Sequence, residues 1–149
     1  MATIAIDTLG GTKAPTAPIA GAGAVSRTSR NIEVILVGEP QTIQQQLSQV
    51  SYNPEQIRIH AVADANPATT VKAAAELVES GQADAMVSAG RPRMALRACF
   101  ETFRLLPGVH RAPLAAVYPT LPRPGCAACG GGVTAGQAQA AAAGPADGA

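Results

Sequence analysis

The sequence predicts an α/β domain in which helices cover both faces of a parallel sheet. Three observations carry this reading. Short apolar runs suited to strands alternate with segments of helical periodicity about four times. Hydrophobic residues make up 47% of the chain while aromatics make up 3% and Trp is absent, so the core is built from Ala, Val, Ile and Leu, as where helices pack on a buried sheet. The 149 residues suffice for one domain with a core of its own.

The first strand is Ile4-Ala5-Ile6, followed by Asp7 and a turn at Gly10-Gly11. Pro15 to about Val25 is Ala-rich and reads as a helix weakened by Pro18 and Gly21. Ile32 to Val37 is a second strand ended by Gly38. From about Thr42 a helix is expected, because Ile43, Leu47 and Val50 recur at helical spacing. Tyr52-Asn53-Pro54 reads as a loop. Ile57 to Val62 alternates and reads as a third strand. Asn66-Pro67 is a helix start, with a capping side chain before a proline at the first helical position. Val71, Ala74, Ala75 and Val78 lie on one face of that helix, and Gly81 stops it. Ala85 to Ser88 is a fourth strand, followed by Ala89-Gly90. Leu96, Cys99, Phe100 and Phe103 define the apolar face of another helix, which Pro107-Gly108 ends. Leu114 to Tyr118 reads as a short fifth strand.

After Leu121 the composition shifts abruptly to Ala, Gly and Pro, with Val133 the single branched aliphatic from Pro122 to Ala149. Such a stretch cannot bury enough apolar surface to offset its ordering entropy. The domain is therefore placed at residues 1–121 and a disordered tail at 122–149. The same break also fits a tail read in a shifted frame.

A net charge of +1 makes no electrostatic case for nucleic acid or an anionic membrane. Arg91, Arg93 and Arg97 read as a solvated helix face. No apolar run approaches the ~20 residues a bilayer span needs, and the first residues lack a signal-peptide pattern; a cytoplasmic location is the expectation. Cys99, Cys126 and Cys129 suggest no disulfide framework. Cys126-Ala127-Ala128-Cys129 has the spacing of a metal half-site or redox motif but lacks a second pair or a folded setting, so it reads as incidental. His60 and His110 stand apart from any Cys or carboxylate pair, and neither a metal nor a cofactor is expected.

Two loops can carry chemistry. Asp7-Thr8-Leu9-Gly10-Gly11-Thr12-Lys13 follows the first strand, and a glycine pair there lets backbone N–H groups approach an anion, with Lys13 adding charge. The plain alternative is a tight turn that needs glycine. Val87-Ser88-Ala89-Gly90 follows the fourth strand and lies at the same end of a parallel sheet, where ligands bind in open α/β folds. A small hydroxyl beside a glycine suits a phosphate or an oxyanion, or simply caps the next helix. Met86 stands where a nucleophile elbow would need glycine, so Ser88 does not read as a nucleophile.

Together these segments resemble the phosphate acyltransferase family of bacterial phospholipid synthesis. Asp7, Gly10, Gly11 and Pro15 are similar to its D-x-M-G-G-D-x-x-P signature. Ile32 to Gly38 resembles its second strand. Ala83 to Gly90 resembles the approach to its S-A-G-N-T-G-A loop. Leu106 to Val109, Arg111 to Ala115 and Pro119-Thr120 are similar to the family's segments beyond that loop. The resemblance covers roughly residues 1–121, the N-terminal half of the family's length. It departs at Leu9 and Thr12, where the family has Met and an acidic residue. Arg91-Pro92-Arg93-Met94 replaces Asn, Thr and the second Gly of the serine loop. Between Val62 and Val78 only Lys72 remains of a basic stretch, and the family's D-V-G-A-N segment is missing after Thr120.

The resemblance implies a fold like that of the isocitrate and isopropylmalate dehydrogenases, truncated, with one wall of an inter-half cleft not encoded. It implies transfer of an acyl group from acyl carrier protein to inorganic phosphate, a homo-oligomer and at most peripheral membrane association. Asp7, Gly10, Gly11, Ser88, Ala89 and Gly90 are then the substrate-binding residues, Arg91 and Arg93 could add anion-binding groups, and no catalytic base is assigned. The alternative is a non-catalytic binding or interaction module that keeps half of the fold.

Overall fold

Parallel strands cannot be joined by tight hairpins, so each must be reached by a crossover, and the chain supplies one helix per crossover. In a computed structural model, β1 (Ala2–Asp7) leads through α1 (Thr16–Thr28) to β2 (Ile32–Gly38). The chain continues through α2 (Pro40–Leu47) and a 3-10 turn (Pro54–Gln56) to β3 (Ile57–Ala61), then through α3 (Pro67–Glu79) to β4 (Ala85–Val87) and on to α4 (Pro92–Thr102). The structure describes residues 1–104, 107, 114–118 and 125–129. The four strands form one all-parallel sheet in the order β3-β2-β1-β4, so the α/β expectation holds.

Alternation along β2 divides the core. Val34 and Leu36 pack with Ile19 and Ala22 of α1 and Ile43 and Leu47 of α2. Ile35 and Val37 face the other way and pack with Ala5 of β1 and Ala74 and Leu77 of α3. The period of two in the strand thus meets a helical stripe on each face. α4 packs against α3.

Several boundaries differ from the sequence reading. α1 runs through Pro18 and Gly21 to Thr28, because Pro18 sits in the first turn, where no intrahelical bond needs its missing N–H. α2 starts at Pro40, ahead of the expected Thr42, with proline in the first helical position. α4 ends at Thr102, and of its side chains Ala98 is buried while Phe100 is 42% exposed. Its expected apolar face is therefore only partly used. α3 starts as expected: the Asn66 side chain accepts from Ala68 N and Thr69 N at 3.0 and 3.1 Å, and Thr69 Oγ1 accepts from Asn66 N at 2.9 Å.

Gly21 lies in the interior of α1, exposed, and a Cβ built there has nothing within 4 Å. Gly21→Ala is expected to raise stability by roughly 0.5–1 kcal/mol, because it cuts the freedom of the unfolded chain without a clash. Thermal or denaturant unfolding checks this, and an unchanged or lowered midpoint contradicts it.

Residues Met1–Phe103 and Arg104–Ala149 form separate units. In the second unit, β5 (Leu114–Tyr118) pairs antiparallel with β6 (Gly125–Cys129), with Leu114 opposite Cys129 and Tyr118 opposite Gly125. The expected fifth strand exists, but its partner is β6 and it does not extend the parallel sheet. β6 falls within the stretch expected to stay unstructured; antiparallel pairing draws on backbone groups that every non-proline residue carries, which composition does not reveal. The rest of that tail, and His110, lie outside the described residues.

Candidate functional site

The strand order places the site. β2 and β3 are laid down on one side of β1 and β4 on the other, so the chain reverses direction between β1 and β4. The loops leaving two such strands diverge to opposite faces and leave a crevice at their C-terminal ends. Ile6 is paired with Val87, so the next residues, Asp7 and Ser88, come face to face as the strands end.

Asp7 is 1% exposed, and its carboxylate is fully engaged. Oδ1 accepts from Thr70 Oγ1 at 2.7 Å and from Leu9 N at 3.0 Å, and Oδ2 accepts from Ser88 Oγ at 2.7 Å. Ser88 Oγ in turn accepts from Gly90 N at 3.1 Å. Charge-assisted bonds of this kind are the strong ones, and here they tie β1, α3 and the loop after β4 to one group. Thr8 holds the same loop to β2, donating through Oγ1 to Val37 O at 2.7 Å.

Glycine is required where the loops touch. A Cβ on Gly10 would lie 2.7 Å from Asp7 Oδ2 and 2.8 Å from both Gly90 N and Ser88 Oγ. Gly11 has φ +92°, a left-handed conformation, and its Cβ would lie 2.9 Å from Ala89 O. The bare glycine turn and the ligand-approach loop were alternatives in the sequence; the geometry shows a turn whose glycines are demanded by the neighbouring loop.

Above these loops opens a cavity of about 620 Å³. Gly10, Gly11, Ser88, Ala89 and Gly90 line it together with Asp7, so all six sequence-predicted residues meet there. Arg91 also lines it and is exposed, whereas Arg93 lies on the exposed first turn of α4 outside the lining. The N-terminal ends of α3, at Asn66-Pro67-Ala68, and of α4 border the cavity. No side chain caps α4; Pro92 has no N–H, and Met94 N and Ala95 N donate to Arg91 O at 2.9 and 3.4 Å, so what this end offers an anion is the Arg93 amide and the positive end of the dipole.

A second cavity, about 490 Å³, lies on the α1 side of the same loop. Its walls are mainly apolar, from Ile6, Ala17, Pro18, Ala22, Val25 and Val87, and it holds Lys13. Gly10, Gly11 and Ala89 line both cavities. Sequence reasoning missed this groove, and it missed Thr70. The available signal for Thr70 was a hydroxyl on the otherwise apolar buried face of α3.

The remaining candidates stay apart from the crevice. His60 is on β3, the edge strand farthest from β4. Cys99 is half-buried with its Sγ 3.9 Å from Met86 Sδ, and burial pushes its thiol up from the ordinary range, which keeps it protonated and unreactive near neutrality. Among the described residues no group of three or more His, Cys, Asp or Glu side chains is placed to hold a metal ion, and no helix is long and apolar enough to cross a membrane.

Comparison with known proteins agrees with the resemblance seen in the loops. The phosphate acyltransferase of Thermosynechococcus vestitus is 34% identical over 132 residues, covering 80% of this chain and 38% of that protein. That of Thermus thermophilus is 32% identical over 127 residues, with 79% and 38% covered. That of a Nostoc species is 36% identical over 131 residues, again with 79% and 38% covered. The chain thus spans under two-fifths of the length of these relatives. Residues 2–126 match the family model described as "Fatty acid synthesis protein", and the chain belongs to that family.

Proposed function

We propose that the chain forms the phosphate-binding side of a phosphate acyltransferase site, where an acyl group passes from acyl carrier protein to inorganic phosphate. The observation that carries this reading is the pinned pair of glycine loops at the β1–β4 switch point, with backbone amides, the α4 N-terminus and Arg91 around one cavity. In this reading Gly10, Gly11 and Ala89 lie against the phosphate, while Ser88 and Gly90, whose donor protons go to Asp7 Oδ2 and to Ser88 Oγ, hold the shape of the cavity around it. Asp7 does not touch it, because its oxygens are committed to protein donors and a carboxylate repels an anion.

The apolar second cavity accommodates the acyl chain, since it shares the Gly10-Gly11 wall with the anion cavity. In the reaction a phosphate oxygen forms a bond to the acyl carbonyl carbon. The carbon–sulfur bond of the carrier thioester breaks, and the thiol leaves with the proton that phosphate gives up. No side chain of this chain is assigned as the base. The partners are acyl carrier protein and a second copy of the chain; Val87, 52% exposed on the edge strand β4, supports the latter. The α/β unit Met1–Phe103, within the expected domain of residues 1–121, is the working part, in the cytoplasm and at most peripherally attached to membranes.

The replacement of the family's Asn-Thr-Gly by Arg91-Pro92-Arg93 favours a second reading, a binding module without turnover. An assay for acyl phosphate from acyl carrier protein and phosphate separates the two. Turnover that disappears in Gly11→Ala supports the enzyme. Phosphate binding by the folded chain without turnover supports the module. Absence of both turnover and phosphate binding overturns the proposal.

A further inference from the structure

Thr70 is fully buried in the second turn of α3, 63 residues from Asp7 in the chain, and does not line the anion cavity. Its hydroxyl has one proton and two acceptors in reach, Asp7 Oδ1 at 2.7 Å and Asn66 O at 3.0 Å. The carboxylate is both nearer and charged, so the proton goes to Asp7. The other carboxylate oxygen takes the Ser88 proton, which leaves the lone pairs of Ser88 Oγ to receive Gly90 N. Removal of the first donor leaves Oδ1 to Leu9 N alone, at 3.0 Å, and loosens Asp7, and with it the group that holds the loop after β4.

We infer that Thr70 is a positioning residue: through Asp7 it sets the direction of the Ser88 hydroxyl and the Gly90 amide, and so the geometry of the anion cavity. This rests on the reading of that cavity as a phosphate site, but its effect on Gly90 does not.

The test uses the full chain with two variants, Thr70→Val, which keeps the shape and removes the donor, and Thr70→Ser, which keeps the donor. Amide hydrogen exchange at Gly90 without ligand is expected to accelerate in Thr70→Val by about tenfold or more, the equivalent of one lost charge-assisted bond. Thr70→Ser is expected to restore protection. Inorganic phosphate is expected to bind about tenfold more weakly to Thr70→Val than to Thr70→Ser. A folded Thr70→Val with wild-type protection at Gly90 overturns the inference, whatever phosphate does. Wild-type chain that binds no phosphate overturns the phosphate reading alone, and the Gly90 amide still decides the role of Thr70. Should Thr70→Val not fold, the wild-type chain decides. A scalar coupling across the hydrogen bond from the Thr70 hydroxyl proton to the Asp7 carboxyl carbon supports the inference, and one to the Asn66 carbonyl carbon overturns it.

Discussion

Gly10→Ala is expected to destabilise the chain by roughly 1–3 kcal/mol, the usual cost of forcing extra volume into a packed site, and to abolish phosphate binding. The added carbon would stand 2.7 Å from Asp7 Oδ2 and 2.8 Å from Gly90 N and Ser88 Oγ. None of these is the free end of a flexible side chain. Asp7 is held by three donors, and Gly90 N is backbone. Relief therefore requires the loops after β1 and β4 to separate, which breaks the Asp7–Ser88 bond and opens the cavity floor. Chemical denaturation and a phosphate titration on the same variant check the two parts. A Gly10→Ala chain with wild-type midpoint and wild-type phosphate affinity would show that the loops do not meet as described.

Asp7→Ala is expected to cost about 2–3 kcal/mol, because it removes the acceptor of two part-buried donors and the tie between three elements. Leu9 N and Ser88 Oγ lose their acceptor, while Thr70 can turn back to Asn66 O. Asp7→Asn is expected to lose less. The amide keeps the shape and one acceptor oxygen, and the Ser88 hydroxyl can rotate to receive an N–H. The measurement is the denaturation midpoint of both variants at unchanged slope. Equal stability of Asp7→Ala and wild type would remove the carboxylate as the tie between the elements. The contrast with Gly10→Ala is informative: one variant pushes the loops apart, the other removes what holds them together, and both reach the same cavity.

Periodicity and punctuation alone made much of this architecture legible. The apolar runs at Ile4–Ile6 and Ile32–Val37, the Asn66-Pro67 start and the glycines at 10, 11 and 90 are local signals, because strand and helix patterns repeat over a few residues and turns depend on one or two. The six residues that line the cavity were legible for the same reason, since each ends or follows a strand at what becomes one end of a parallel sheet. The usable face of α4 was not. Leu96, Cys99, Phe100 and Phe103 share a stripe, yet Ala98 is the residue buried and Phe100 stands 42% exposed, because the neighbour that α4 meets is decided by the packing of α3.

Strand order was likewise beyond the sequence, and with it the crevice. That β4 lies beside β1 and not beside β3 depends on which helices cover which face, a sum of contacts between segments far apart in the chain. The pairing of β5 with β6 was hidden because it draws on backbone groups common to all residues. Thr70 was hidden because a hydroxyl on an apolar face has the same appearance in sequence whether it bonds its own helix or a carboxylate 63 residues away. The sequence by itself determined the strands, the helices and the small residues of the two loops, all short-range properties. Only the tertiary structure decided that Asp7, Thr70, Ser88 and Gly90 form one hydrogen-bonded unit, because that unit exists only once β4 has crossed to the far side of β1.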